Sequence, residues 1–210
     1  MNLYILRHGE TGWNKEEIFR GRKDVPLNDM GLKQAQRVAR FFSINQPPVI
    51  YSSPLVRAWQ TAEGVSSATG VRIEAVDEFS DMAFGPWEGR LLRDVAHEWA
   101  QDLGVWMKTP HKFRLPGAET LLQVRKRVAT GLHRIVLLGE ETVLIVTHRV
   151  ICKVIIMCLL HMENRHFWDF RFDPASISLI TGDEKGMSVA FLNNTCHLKD
   201  SACERIYRDF

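Results

Sequence analysis

LYILRHGETGWN, residues 3–14, passes from four apolar residues directly into an arginine and a histidine. A short apolar run bounded by turn residues predicts a buried strand. Five more such runs lie at residues 49–52, 71–76, 143–147, 176–181 and 187–192. Helical patterns separate most of them. Because strands alternate with helices, the sequence predicts an α/β fold, a three-layer sandwich around a mostly parallel sheet of about six strands.

The helical patterns also predict where helices begin. In residues 27–42, Asn28 is placed to cap a helix. Ser53 is predicted to cap the next helix, with Pro54 at its first position. A third helical pattern covers residues 119–138. The residues expected on the buried faces of the first and third helices are Leu32, Ala35, Val38, Ala39 and Phe42, then Leu121, Val124, Val128, Leu132 and Ile135.

Two segments depart from the strand–helix alternation. GDEKG, residues 182–186, joins the last two strands and predicts a hairpin, so one edge of the sheet is expected to be antiparallel. Residues 86–117 hold three tryptophans, several charges and three prolines. They are expected to form a cap-like helical insertion over the active-site end of the sheet, within a single domain that spans residues 1–210.

Composition narrows the function classes. Apolar residues make up 45% and charged residues 25%, and the formal net charge is only +2, so neither a nucleic-acid partner nor a membrane is expected. The first apolar run is too short for a secretory signal, and Lys153 interrupts the longest one, residues 150–162. The cysteines show no C-x-x-C spacing and are expected to be reduced in a cytoplasmic protein: Cys152, Cys158, Cys196 and Cys203.

Cationic side chains follow three of the predicted strands. Arg7 and His8 end the first, Arg57 lies in the first turn of the helix after the second, and His148 follows residues 143–147. Ligands of open α/β sheets bind beyond the carboxyl ends of strands, where helix N-termini add positive potential. Taken singly, each residue is more often an ordinary loop or surface residue. Together they predict a pocket for a phosphoryl group, whose oxygens match the arginine fork.

Four motifs carry further information: LRHGETGWN, GRKDVPLNDMGLKQA, YSSPLVRAWQTA and VTHR. Together they resemble the histidine phosphatase superfamily, the phosphoglycerate-mutase-like proteins, over nearly the whole chain. The residues at the family's positions in the first two motifs are Arg7, His8, Gly9, Thr11, Asn14, Gly21, Asp24, Leu27 and Gly31. The tail, with FDPASISLI and NNTCHL, is similar to the branch of small metal-independent phosphatases, such as α-ribazole phosphatases and phosphoserine phosphatases.

The resemblance implies phosphoryl transfer in two steps, through a phosphohistidine on His8. One ring nitrogen must then be free to attack, and the neighbouring Arg7 and Arg57 disfavour the imidazolium. The other ring nitrogen is expected to bond a backbone carbonyl, which fixes the tautomer. Because the cations do the work that a metal would otherwise do, no metal and no cofactor are expected.

A phosphate cradle and a general acid are implied as well. The residues implied for the cradle are Arg7, Asn14, Arg57 and His148, of which His148 is also catalytic. One carboxylic acid can protonate the leaving oxygen and later accept a proton from water. The family places this acid shortly before a G-x-W-x-G-like stretch, here within FSDMAFGPWEGR, where Asp81 stands in place of the usual glutamate. Glu88 is the alternative acid.

Other residues are candidates for substrate contact. The resemblance implies that the substrate is contacted by Thr11, Arg20, Gly21 and Glu88. At least one of Arg20 and Arg22 is expected to face the pocket. Arg149 stands where many family members have glycine, and it forms either a salt bridge on the helix surface or a contact to an acidic substrate.

Residues 87–116 are expected to form the side of the pocket that lies opposite the phosphate. The side chains that either present an aromatic surface to the leaving group or simply pack the insertion against the sheet are Phe84, Trp99, Trp106 and His111. His197 either touches substrate or belongs to a plain terminal loop.

The function expected from these features is hydrolysis of a small phosphorylated metabolite. A cofactor-dependent phosphoglycerate mutase is the first alternative, ranked lower because the chain is short for a mutase and lacks an ERHYG stretch. A phosphoprotein phosphatase and a non-catalytic phosphate-binding module are the others; intact Arg7, His8, Arg57 and His148 argue against the module. The resemblance also makes a homodimer an expectation.

Overall fold

A six-stranded sheet forms the middle of the computed structural model, which describes residues 1–45, 49–183 and 186–199. Its strands are β1 (Asn2–Arg7), β2 (Val49–Ser52), β3 (Ile73–Ala75), β4 (Thr142–Thr147), β5 (Ile177–Asp183) and β6 (Gly186–Asn194). They are ordered β3-β2-β4-β1-β5-β6. The first four strands in this order are mutually parallel, and β5 runs antiparallel to both β1 and β6. The predicted fold class, with an antiparallel pair at one edge, is confirmed; residues 184–185 of the predicted hairpin turn lie outside the described residues.

Helices cover both faces of the sheet. They are α1 (Gly12–Lys15), α2 (Asp29–Ile44), α3 (Val56–Thr69), α4 (Leu92–Glu98), α5 (Ala100–Lys108), α6 (Leu121–Leu137) and α7 (Arg149–Leu159). One apolar core joins the sheet to α6 and α7, and a second joins it to α2 and α3. Among the described residues, no helix has both the length and the apolar character needed to cross a membrane.

The central strands are apolar on both sides because each side faces a core. In β4, Val143 and Ile145 belong to the core beneath α6 and α7, while Leu144 and Val146 belong to the other. Successive strand residues point to opposite faces, so this alternation builds a three-layer structure from a continuous apolar run.

The predicted helix starts have mixed outcomes. Asn28 caps α2 by accepting a 2.8 Å hydrogen bond from the Gly31 amide. Leu32 was expected on the buried face but is 44% exposed, because Gly31 takes that position against the loop after β1. Ser53 does not cap α3, which begins at Val56 and has no side-chain cap. Ser53 instead contacts a histidine, as described below.

The segment of residues 86–117 contains α4 and α5. Most of its aromatic side chains form a packed cluster rather than an open surface. Trp87 and Trp106 are buried and pack around Phe113, and Trp106 also contacts Phe84. Trp87, Trp106 and Phe113 therefore pack this segment into the core, while Trp106 and Phe84 also border a cavity.

Cys152 and Cys158 lie in α7 as unpaired thiols, as the sequence predicts. Burial raises the pKa of both thiols, which disfavours the thiolate form. Cys203 lies outside the described residues.

Two glycines let the loop after β1 pack against the start of α2. A Cβ on Gly31 would lie 2.1 Å from the carbonyl oxygen of Glu10, and a Cβ on Gly9 would lie 2.8 Å from that of Gly31. Both contacts are with backbone, which cannot swing aside. The close approach fixes the loop that follows His8.

Replacing Gly31 with alanine is therefore expected to lower the free energy of unfolding by about 1 to 3 kcal/mol, because the added methyl group forces the two backbone segments apart. Urea denaturation measures the change. The matched control is Gly104→Ala in α5, where a Cβ meets nothing within 4 Å and alanine should stabilise the helix by about 0.5 to 1 kcal/mol. Equal stability changes for the two variants would contradict the close approach.

Candidate active site

The carboxyl edge of the sheet brings the two candidate histidines together. His8 follows β1 and His148 follows β4, its parallel neighbour. Their ring centroids lie 5.2 Å apart. Arg7 ends β1, and Arg57 lies in the first turn of α3. All four side chains are buried, so the structure unites the residues that the strand ends predicted.

His8 is held in one tautomer. Its Nδ1 lies 2.6 Å from the carbonyl oxygen of Gly9. Because a carbonyl only accepts hydrogen bonds, Nδ1 carries the proton and Nε2 keeps its lone pair. Burial holds the pKa of His8 well below its usual value, and the charges of Arg57 and Arg7 lower it further. His8 is thus a neutral imidazole, and its carbonyl partner belongs to the next residue along the chain.

His148 is oriented by Ser53. Its Nε2 lies 2.8 Å from the Ser53 Oγ, which also accepts a 3.3 Å hydrogen bond from the Leu55 amide. Among the described residues, Nε2 of His148 is the acceptor available to the hydroxyl group of Ser53, so this hydroxyl group donates to Nε2. The ring proton of His148 therefore sits on Nδ1. Burial, followed by the charge of Arg57, keeps the pKa of His148 well below its usual value, so this N–H is a neutral donor.

Several buried N–H groups have no hydrogen-bond partner in the described part of the chain. Those of this region are Arg7 Nε, Arg20 Nε, Arg57 Nε and His148 Nδ1. A buried donor without a partner costs about 1 to 3 kcal/mol. Because these donors accumulate around one pair of histidines, the region is suited to binding an anion.

The arginines are fixed by backbone carbonyls. Arg57 donates to the carbonyl oxygens of Lys23 at 2.9 Å and Gly21 at 2.8 Å. Arg7 donates to the carbonyl oxygen of Phe172 at 2.5 Å. Because these bonds hold each guanidinium in place, the nitrogens that remain are pre-organised for a ligand.

Asp81 lies beside the histidines. Its Oδ2 is 3.1 Å from Arg57 Nη2 and 3.8 Å from His148 Nδ1, and its Oδ1 accepts from the Met82 amide at 3.0 Å. The carboxylate is almost completely buried and borders the cavity described below. Asp81 therefore lies next to both His148 and the cavity.

Glu88, the alternative acid, binds backbone amides instead of lying beside the histidines. Its Oε1 accepts from the Phe84 amide at 2.8 Å and from the Arg22 amide at 3.1 Å. The same oxygen would lie 2.1 Å from a Cβ on Gly21, which has a positive φ of +51°. Glu88 thus braces the loop around Gly21, and its bonded oxygen points at backbone rather than at the histidines.

Asn14 and Thr11 form a capping box at α1. Asn14 Oδ1 accepts from the Thr11 amide and hydroxyl, each at 2.9 Å. Asn14 borders the cavity, so its amide N–H₂ is the group that it can offer to a ligand. Thr11 is fully buried and holds Asn14 in place.

A cavity of about 280 Å³ opens next to these groups. Its polar lining includes Arg7, Asn14, Arg20, Asp81 and Arg149. Its apolar lining includes Phe84, Leu92, Trp106, Met107 and Trp168. Leu92, Trp106 and Met107 come from the segment of residues 86–117, so this segment lines part of the cavity. Trp99 and His111 do not line it.

The other sequence candidates divide between cavity and surface. Arg20 and Arg149 line the cavity. Arg22 faces outward and pairs with Glu119 at 3.3 Å. His197 bonds the carbonyl oxygen of Ala175 at 3.0 Å, outside the cavity lining.

Two residues near the site were not predicted as functional. Ser53 was interpreted as a helix cap, although its position directly after a strand end was a usable signal. Lys153 was noted only as a break in an apolar run. Its Nζ lies 4.6 Å and 4.2 Å from the ring centroids of Phe167 and Trp168, and burial lowers its pKa to about 7. No local pattern marks such a contact, because the aromatic rings come from a different segment.

Comparison with known proteins agrees with this architecture. The model of the histidine phosphatase superfamily (branch 1) matches residues 3–195. Phosphoserine phosphatase 1 of Hydrogenobacter thermophilus is 33% identical over 199 residues, covering 94% of each chain. The adenosylcobalamin/alpha-ribazole phosphatase of Escherichia coli is 28% identical over 195 residues, covering 92% of this chain and 96% of the relative.

A solved structure shows the same fold. The alpha-ribazole phosphatase from Shigella flexneri superposes with a TM-score of 0.84 at 28% identity, covering 92% of this chain and 96% of the other. The similarity includes the sheet, its flanking helices and residues 86–117, because it covers nearly all of both chains.

Proposed function

Since the chain belongs to branch 1 of the histidine phosphatase superfamily, we propose that it is a phosphomonoesterase that hydrolyses a small phosphorylated metabolite through a phosphohistidine on His8. One observation carries the proposal: the unprotonated Nε2 of a neutral, buried His8 lies among buried donors that have no partner in the described chain. This arrangement suits attack on phosphorus, with the negative charge held by fixed N–H groups.

The first step forms the phosphoenzyme. Nε2 of His8 attacks phosphorus, and the bond from phosphorus to the ester oxygen breaks. Asp81, in its carboxylic acid form, donates its proton to the leaving oxygen, so an alcohol departs. Arg7, Arg57 and His148 Nδ1–H hold the equatorial oxygens as charge spreads over them.

The second step returns the enzyme to its starting state. Water attacks phosphorus on the phosphohistidine and loses a proton to the Asp81 carboxylate. The N–P bond breaks, its electron pair returns to Nε2, and inorganic phosphate leaves. Asp81 acts as acid and then as base, which explains why one carboxyl group beside the phosphate is sufficient.

We propose that the reaction needs no metal ion, since the arginines and His148 supply the positive charge. Hydrolysis of p-nitrophenyl phosphate in excess EDTA tests function and metal independence together. Turnover that persists supports both proposals, and turnover that EDTA abolishes contradicts the second. Isomerisation of 3-phosphoglycerate without phosphate release would indicate a mutase, and absence of turnover with any phosphomonoester or phosphoprotein would indicate a binding module.

We also propose that residues 1–210 act as one domain in which the segment of residues 86–117 covers the substrate. The side chains that this segment contributes to the cavity support the assignment. The cytoplasmic location and the homodimer remain proposals from the sequence; sedimentation velocity tests the homodimer.

Replacing Ser53 with alanine is expected to lower kcat about tenfold or more. Without the hydroxyl group, the proton of His148 is no longer held on Nδ1, and the ring loses its fixed orientation toward the phosphate. Steady-state kinetics measure the loss. Ser53→Thr keeps the hydroxyl group and should retain more activity than Ser53→Ala. Equal activity of Ser53→Ala and the wild type would refute the role of Ser53.

A further inference from the structure

The cavity carries more positive charge than one phosphate group needs. Arg7, Arg20 and Arg149 line it, and Arg57 lies behind them. Asp81 contacts this group through its ion pair with Arg57, and Asp24 and Glu88 stabilise the charge of Arg57 from farther away. A phosphate dianion and an ionised Asp81 together compensate three of the four positive charges. When Asp81 is protonated for its role as acid, two positive charges remain uncompensated.

The two positive charges that the phosphate does not compensate are those of Arg20 and Arg149. Arg7 and Arg57 are fixed by carbonyl oxygens close to His8. Neither Arg20 nor Arg149 makes a hydrogen bond or ion pair through its guanidinium within the described ranges, and Arg20 Nε is buried without a partner. Glu17 also borders the cavity, but its side chain is exposed to solvent and forms no ion pair with either arginine there.

The three arginines also repel one another. Burial, together with the charges of Arg149 and Arg20, lowers the pKa of Arg7 to about 9. The pKa of Arg20 is lowered to about 10 by burial; Asp81 opposes the shift, and the charges of Arg149 and Arg57 add to it. Unpaired cations held close together in a protein are explained by an anionic ligand that relieves the repulsion.

The position of Arg149 in the chain indicates where the anionic group of the ligand lies. Arg149 directly follows His148 at the start of α7, so its backbone adjoins the imidazole proposed to hold the phosphate. Its side chain is exposed to solvent where it borders the cavity. A group bound by Arg149 therefore belongs to the same small molecule as the phosphate, joined to it by a short carbon chain that a cavity of about 280 Å³ accommodates.

We propose that Arg149 and Arg20 form a second anion subsite, which binds a carboxylate on the alcohol part of the phosphomonoester. This inference rests on the proposed phosphatase function and narrows its substrate class to short phosphorylated carboxylic acids. The planar guanidinium fork binds a carboxylate in a bidentate manner. The surface salt bridge that the sequence left open for Arg149 is absent from the described contacts, whereas the acidic-substrate contact fits them.

Two matched pairs of substrates isolate the carboxylate. 3-Phosphoglycerate carries a carboxylate at the position where glycerol 3-phosphate carries a hydroxymethyl group, and the two are otherwise identical. O-Phosphoserine and O-phosphoethanolamine differ only in the presence of the carboxylate. In both pairs, the wild-type enzyme is expected to show kcat/KM at least about tenfold higher for the carboxylate member, the size of effect expected for a charge-assisted hydrogen bond.

Variants of Arg149 test the source of the preference. Arg149→Gln should lower the ratio of kcat/KM within each pair by about tenfold, and Arg20→Gln should lower it in the same direction. Arg149→Lys keeps the charge but loses the fork, so its ratio should be intermediate. Arg22→Gln is the matched control: it removes one charge from the same loop as Arg20, but at an outward-facing side chain paired with Glu119.

Three results would overturn the subsite. They are a wild-type ratio near one in both pairs, a ratio that Arg149→Gln leaves unchanged, and a loss in Arg149→Gln that is equal for both members of each pair. Calorimetric binding of the same compounds to the His8→Ala variant gives a readout without turnover. Failure to hydrolyse any phosphomonoester would refute the proposed function, while loss of the binding preference would refute the subsite alone.

Discussion

Replacing His8 with alanine is expected to lower kcat by at least about 10⁴-fold, because the variant lacks the nitrogen that accepts the phosphoryl group. The neutral Nε2 of His8 has no substitute in the site: His148 directs an N–H rather than a lone pair toward Asp81, and the arginines cannot act as nucleophiles. Steady-state hydrolysis of p-nitrophenyl phosphate measures the loss.

Two further measurements separate loss of the nucleophile from loss of the fold. The variant should still bind inorganic phosphate, since Arg7, Arg57 and His148 remain in place. Rapid quenching of the wild type with a labelled substrate should trap an acid-labile phosphoenzyme, and the variant should trap none. His133→Ala removes an exposed histidine of α6 and should keep full activity. Activity of His8→Ala within tenfold of the wild type would refute the phosphohistidine mechanism.

Replacing Asp81 with asparagine is expected to lower kcat by about 10² to 10⁴-fold on an alkyl phosphate. Asparagine has the same shape but cannot donate a proton to the leaving alkoxide. The loss should be much smaller for p-nitrophenyl phosphate in the phosphorylation step, because p-nitrophenolate is stable without protonation. A comparison of the two substrates by single-turnover kinetics therefore identifies the acid.

The same variant should bind inorganic phosphate more tightly, so that the inhibition constant for phosphate falls several-fold. In the structure, Asp81 Oδ2 lies 3.1 Å from Arg57 Nη2 and 3.8 Å from His148 Nδ1, so its negative charge competes with phosphate for these groups. A neutral amide removes the competition. Lower kcat together with tighter phosphate binding is a pair of effects that simple loss of folding would not produce.

Glu88→Gln is the matched control for Asp81→Asn. The glutamine carbonyl oxygen can still accept from the Phe84 and Arg22 amides, so the loop around Gly21 should stay in place. Its effect on kcat should be small and independent of the leaving group. A leaving-group dependence that follows Glu88 instead of Asp81 would reverse the assignment of the acid.

The sequence predicted the strands well because the signal is local. Residues 143–147 form one unbroken apolar run, and both faces of the resulting strand are covered by helices. Two details near helix starts were wrong. Leu32 follows the apolar period, but Gly31 makes the close contact that turns Leu32 outward. Ser53 has the residue type of a cap, but a histidine from a distant strand takes its hydroxyl group.

The sequence by itself determined which side chains reach the carboxyl edge of the sheet. Arg7, His8 and His148 stand at or next to the carboxyl ends of predicted strands, so any parallel sheet made of these strands brings them to one edge. The backbone carbonyl that orients His8 belongs to the adjacent residue, so it too depends on local structure.

Only the tertiary structure decided how these groups are oriented and charged. Asp81 meets Arg57 across 24 residues of sequence, and Ser53 meets His148 across 95. Packing between distant segments decides which carboxylate lies beside the histidines. It also decides which of Arg20 and Arg22 faces the cavity, and which cations have no partner among the described residues. Burial and electrostatic interaction are properties of proximity in space, and residue order alone does not specify them.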